Sequence, residues 1–142
     1  MALKLIGNIF TGNYRSKYID NIYMTDAETS VVGTAYTLSS GRWTEAVGTG
    51  RIHAICYKAT TGGTDQLGYM ELVKPGDIIE GPYTGTAAAT FIAGCESATL
   101  GDATGASIDS SDVTSGHLVL LNVDTTNTKV QCVAIKNALV AS

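Results

Sequence analysis

The sequence predicts an all-β fold: a single β-barrel or β-sandwich domain, entered through an extended N-terminal arm. Three observations carry that expectation. Short apolar runs recur about every ten residues with turn-forming residues between them, the rhythm of sandwiches and barrels. No stretch sustains apolar residues at i, i+3, i+4 and i+7, and "SSDVTS" holds at most one helical turn. The composition favours pleated strands and tight turns, with 16 glycines, abundant Thr, and prolines only at Pro75 and Pro82. A chain of 142 residues fits one domain, and at this size it can hide roughly 70% of its unfolded surface in an ordinary core.

Residues 1–26 read differently from the rest. "NIFTGNYRSKYIDNIYM" holds Phe10, Tyr14, Arg15, Lys17, Tyr18 and Tyr23 with little alternation. Tyr suits a boundary that is dry on one side and wet on the other. The segment is either a contact arm or an irregular lead-in covering one end of the domain, and residues 27–142 form the β body. There, "TAYTL", the turn "SSG" and "RWTEAV" make a hairpin over Thr34–Val47 with a three-residue loop. "RIHAICYKA" is the next strand, "TTGGTDQ" a loop, and "LGYMELV" a strand running to the "KPGD" turn. "DIIEGPYTG" gives a short strand ending at Gly81-Pro82, and "AAATFIAG" a compact apolar strand. "LGDATGASIDSSDVTS" is a long polar stretch, and "HLVLLNV", "DTTNT" and "KVQCVAIKN" form the closing hairpin.

Nine basic and thirteen acidic residues leave a net charge of −4. That balance offers no electrostatic footprint for nucleic acid or anionic lipid. No run approaches the ~18–20 apolar residues of a membrane span, and "MALKLIGNIF" lacks the long apolar core and cleavage site of a signal peptide. The expectation is a protein kept inside the cell that makes it. Cys56, Cys95 and Cys132 are odd in number and widely spaced, so they read as free buried thiols rather than a disulfide or zinc framework.

Each chemical reading has a plainer rival. Alternation puts His53 and Cys56 on opposite faces of one strand, and His117 opens another, so no ligand set forms. No G-x-S-x-G elbow appears. Glu71, Asp77 and Glu80 flank the "KPGD" turn and could pair as glycosidase carboxylates, but carboxylates beside turns more often cap turn amides. "GTGRIH" lacks the glycine spacing of a phosphate loop and joins two strands. Asp102, Asp109 and Asp112 do not match an EF-hand loop. Trp43, next to Arg42, is a core residue, a sugar platform or an interface anchor. The reading is of a non-enzyme with no cofactor and no metal.

The segments "GTAYTLSSGRWTEA", "GRIHAICYKA", "LVKPGDIIEGPYTG" and "GHLVLLNVDTTNTKVQCVAI" together resemble the head decoration (cement) proteins of tailed bacteriophages. The likeness spans roughly residues 30–136 as a pattern of strands and turns and contains no chemical motif. It implies a β protein, made in the host cytoplasm, that binds the major capsid protein on the virion exterior as a homotrimer. On that reading Phe10, Tyr14, Arg15, Tyr18 and Tyr23 contact the shell or a neighbouring protomer, with Trp43 as a further contact. The alternative function is a carbohydrate-binding or adhesive module of a phage tail or cell surface.

Overall fold

The structure, a computed structural model, describes residues 2–13 and 15–134. In chain order its strands begin with β1 (Lys4–Asn8), β2 (Tyr18–Tyr23), β3 (Ala35–Ser39), β4 (Arg42–Glu45), β5 (Ala54–Lys58) and β6 (Leu67–Leu72). They continue with β7 (Asp77–Thr84), β8 (Thr99–Leu100), β9 (Ile108–Asp109), β10 (Leu118–Asp124) and β11 (Lys129–Ala134). There is no helix among the described residues, as the absence of helical periodicity predicts. A six-stranded sheet runs β10-β11-β7-β9-β8 with β1 added to β7, and a five-stranded sheet runs β2-β6-β5-β3-β4.

The main core lies between the sheets. Leu5 of β1, Ile79 of β7, Leu118 and Leu120 of β10, and Val130 and Cys132 of β11 meet Ala35 of β3 and Ile55 of β5. Strand β7 is the hub: Ile79 is paired with Leu5 on one side and with Cys132 on the other. Its sequence "DIIEGPYT" alternates buried and half-buried positions, as a strand with one face on the core should.

The five-stranded sheet has a second core on its other face. Tyr36, Ala54, Cys56 and Met70 point away from Ala35 and Ile55 and pack with Met24 and Trp43. Period-two alternation forces this split, because neighbouring residues of one strand face opposite sides. The sheet curls round that cluster until its outer strands touch. Met24 bridges Trp43, Thr25 N donates to Trp43 O at 3.0 Å, and the Thr25 and Thr44 hydroxyls meet at 2.7 Å. Gly68 makes the curl tight, since a Cβ there would fall 2.7 Å from Trp43 Cδ1 and 2.9 Å from Met24 Sδ.

Four sequence expectations are corrected. The described part of residues 1–26 is not an arm: β1 pairs with β7, β2 pairs with β6, and Leu3, Leu5 and Met24 are core residues. The 34–47 hairpin turns on two residues, Ser40 and Gly41, both at positive φ (52° and 78°), the type I′ arrangement that matches strand twist. Strand β7 runs through Gly81-Pro82 to Thr84. Tyr83 N bonds Thr128 O of the β11 side, so Pro82 faces the side that β1 has already left at Glu80, where no donor is needed. "AAATFIAG" is a run of turns, in which Phe91 alone is buried, against Tyr83 at 5.1 Å between ring centres. Alanine's weak preference for pleated surfaces explains that failure.

Candidate interaction surface

Strand register places Ile55, Glu71 and Tyr18 in one row across β5, β6 and β2. Burial falls along the row: Ile55 is buried in the main core, Glu71 is half-buried, and Tyr18 is 51% exposed. The six-stranded sheet thus covers the β5 side of this face and leaves the β6–β2 side open. On the open part three tyrosines cluster. Tyr18 and Tyr57 have ring centroids 4.6 Å apart at 57°, and Tyr57 and Tyr69 stand 6.3 Å apart at 79°. Lys58 Nζ sits 4.6 Å from the Tyr69 centroid, a cation–π geometry. Tyr57 donates to Asp20 Oδ1 at 2.6 Å, and that bond chiefly raises its hydroxyl pKa to about 12.

A groove of about 460 Å³ borders the cluster where the sheets part. Tyr57, Glu71, Glu80, Lys4 and Lys129 line it. Glu80 accepts from Gln131 at 3.0 Å and lies 3.5 Å from Lys4 Nζ. The Gln131 bond, then the two lysines, hold the Glu80 carboxyl below its usual range. A general acid needs the opposite shift.

The sequence candidates are dispersed. Trp43 is fully buried inside the curled sheet, so it is neither platform nor anchor. Tyr14 lies outside the described residues. Phe10 is 75% exposed, and its ring lies on Gly76, whose φ of 81° places it in the left-handed region. Asn8 sets that placement: its Oδ1 accepts from Phe10 N at 2.8 Å, while its Nδ2 donates to Pro75 O and Asp77 Oδ1, each at 2.9 Å. Arg15 lines a polar hollow with Asn8, Thr11, Asn13 and Lys74. Tyr23 lies under Arg42, 5.4 Å from its ring centroid, and Arg42 also binds Met24 O, Asp26 and Asp65. Only Tyr18 belongs to the tyrosine cluster. Tyr57, Tyr69 and Lys58 were missed because partnership across strands is set by register, which a linear reading does not contain.

The other polar candidates hold the scaffold together. His53 Nδ1 accepts from Leu38 N at 2.8 Å, and burial, helped by the Arg51 charge, lowers its pKa. Asp77 is fully buried and is the carboxylate of its turn, accepting from Lys74 N at 2.9 Å with Lys74 Nζ at 3.1 Å. Asp109 and Asp112 accept from the amides and hydroxyls of Ser111 and Thr114. Cys56 and Cys132 are buried and Cys95 half-buried; burial raises the Cys56 thiol pKa and pushes Cys132 to about 12. Among the described residues no group of three or more His, Cys, Asp or Glu is placed to hold a metal ion.

Set against known proteins, the chain matches no family model, no curated protein and no solved structure.

Proposed function

We propose that this chain is a structural virion protein of a tailed bacteriophage that binds the major capsid protein on the outside of the expanded head, as a homotrimer, and stabilises the shell without catalysing a reaction. The observation that carries the reading is the solvent-facing cluster of Tyr18, Tyr57 and Tyr69 on a stiff, all-strand body. Tyrosine is enriched in protein interfaces because its ring gives apolar area at small entropic cost while its hydroxyl satisfies a polar rim. The segment-by-segment resemblance to decoration proteins supplies the partner. A protein that binds only the assembled, expanded lattice stabilises that state by linkage, with no chemistry required.

The test is co-sedimentation of purified protein with expanded heads and with precursor shells. Saturable occupancy on expanded heads, reduced by Tyr18→Ala and Tyr57→Ala, is the expected result. Binding to neither shell overturns the reading.

One observation favours a second reading, a carbohydrate-binding module: the charged groove beside Tyr57. The ring angles of 57° and 79° count against it, because stacked sugars want parallel aromatic faces. A glycan array separates the two.

A further inference from the structure

The second core of the five-stranded sheet is not sealed at one end. Ile19 and Ile22 of β2, Leu38 of β3 and Leu72 of β6 surround a hollow of about 190 Å³ beside Trp43, and every lining residue is apolar. Basic residues lie close to it along the chain. Leu72 N donates to Lys17 O at 2.8 Å, and Val73 N donates to His53 O at 3.0 Å. Leu38 N donates to the His53 ring, also at 2.8 Å. Arg15, Lys17, Arg51 and Lys74 therefore all lie at most two residues from these contacts, within about 7 Å along an extended chain. Arg15 and Lys74 share a separate polar hollow of about 370 Å³.

Four of the nine basic residues thus gather at one end of a chain whose net charge is −4. Asp77 offsets Lys74 at 3.1 Å. No described carboxylate lies within ion-pair distance of Arg15, Lys17 or Arg51. The nearby acids face elsewhere: Asp20 is bonded to Tyr57 on the tyrosine face, and Glu71 lines the groove between the sheets.

We propose that this end docks an acidic peptide segment of the shell protein, which inserts one aliphatic or aromatic side chain among Ile19, Ile22, Leu38 and Leu72. The proposal rests on the capsid-binding reading above and names the partner chemistry that reading leaves open. Size and charge choose the occupant. A cavity of roughly 150 Å³ holds one benzene ring, whereas small-molecule sites run from about 300 Å³ upward. The hollow's volume therefore suits a single side chain and is too small for a whole acyl tail. The cations around it supply attraction and orientation for flanking carboxylates.

The full chain is titrated with the peptide Ac-Asp-Glu-Phe-Asp-Glu-amide at low salt, followed by calorimetry and by emission from Trp43, the single Trp. One-to-one binding with Kd below about 1 mM is expected. Replacing the peptide's Phe by Ala, or its acids by Lys, weakens it at least tenfold. The double substitution Arg15→Glu with Lys17→Glu, both exposed, weakens it roughly tenfold at an unchanged melting temperature. Failure of the acidic peptide to bind, equal binding of the lysine peptide, unchanged affinity in the double variant, or saturable binding of decanoate in place of the peptide each overturns the proposal. The same variant on expanded heads keeps the two readings apart. Peptide binding without head binding sinks the capsid reading, and with it the shell protein as the source of the peptide, while the acidic-peptide site stands; full head occupancy by the double variant sinks the docking site alone.

Discussion

Strand β1 and the residue that leads into it are expected to hold the domain together, and Leu3→Ala and Leu5→Ala test this. Leu3 is 2% and Leu5 5% exposed, and both belong to the core between the sheets. Leu3 is tightly seated: a Cβ at Gly81 would fall 2.4 Å from Leu3 Cδ2. Truncating a buried Leu to Ala costs about 2–5 kcal/mol, the upper end applying where the surroundings cannot collapse into the hole. Sheets on both sides restrain collapse here, so about 3–4 kcal/mol per site is expected. For a domain of this size about 1 kcal/mol moves Tm by about 3 °C, which predicts a fall of about 9–12 °C for each variant. The double variant loses about 6–8 kcal/mol, which is comparable with the whole stability of many domains. Thermal unfolding followed by far-ultraviolet circular dichroism, with urea titration for the free energy, reads the effect. Shifts below about 2 °C at both positions would mean that β1 is a loose appendage, and the reasoning would fail. By the same argument, deleting residues 2–24 removes two strands and leaves no folded domain to assay for binding.

Three further predictions follow from single contacts. Gly68→Ala drives a methyl into Trp43 and Met24 and should cost about 1–3 kcal/mol, measured by urea unfolding; an unchanged midpoint would show that the sheet does not curl so tightly. His53 has a lowered pKa in the fold, so the unfolded chain binds its proton more readily. Stability from this residue is complete above the unfolded value near 6.5 and is lost as pH falls through it towards the folded value. A His53→Asn variant, which keeps an acceptor for Leu38 N, should flatten that slope between pH 7.5 and 5, and an identical slope would remove His53 from the account. Among the thiols, Cys95 should react first with an aromatic disulfide reagent in native protein, while Cys56 and Cys132 react only on unfolding; equal rates for all three would contradict the burial.

Much of the body was legible in the sequence. The short apolar runs of "AICYKA" and "KVQCVA", the Pro-Gly turn and the closing hairpin each correspond to an element of the fold. Turn chemistry was less so, because "SSG" contains three turn-forming residues and only backbone φ decides that two of them make the turn. The first 26 residues misled because edge strands need not alternate. Strand β2 shows only Ile19 and Ile22 half-buried, and its bulge between them breaks the period of two. The tyrosine cluster was illegible for a different reason. Tyr18, Tyr57 and Tyr69 are brought together by pairings across 39 and 12 residues of sequence, and nothing local to any of them signals the others. Trp43 shows the converse: of the three readings open in the sequence, core residue, sugar platform or interface anchor, the curl of the sheet selects the first by burying the ring completely.

The most direct measurement of the central claim is the thermal stability of expanded heads against concentration of added protein. Adhesion to the assembled lattice predicts a rise that continues logarithmically beyond saturation, reaching about 2.7 kcal/mol per site at a hundredfold excess over Kd. Heads whose melting is unmoved at the highest protein concentration would contradict it.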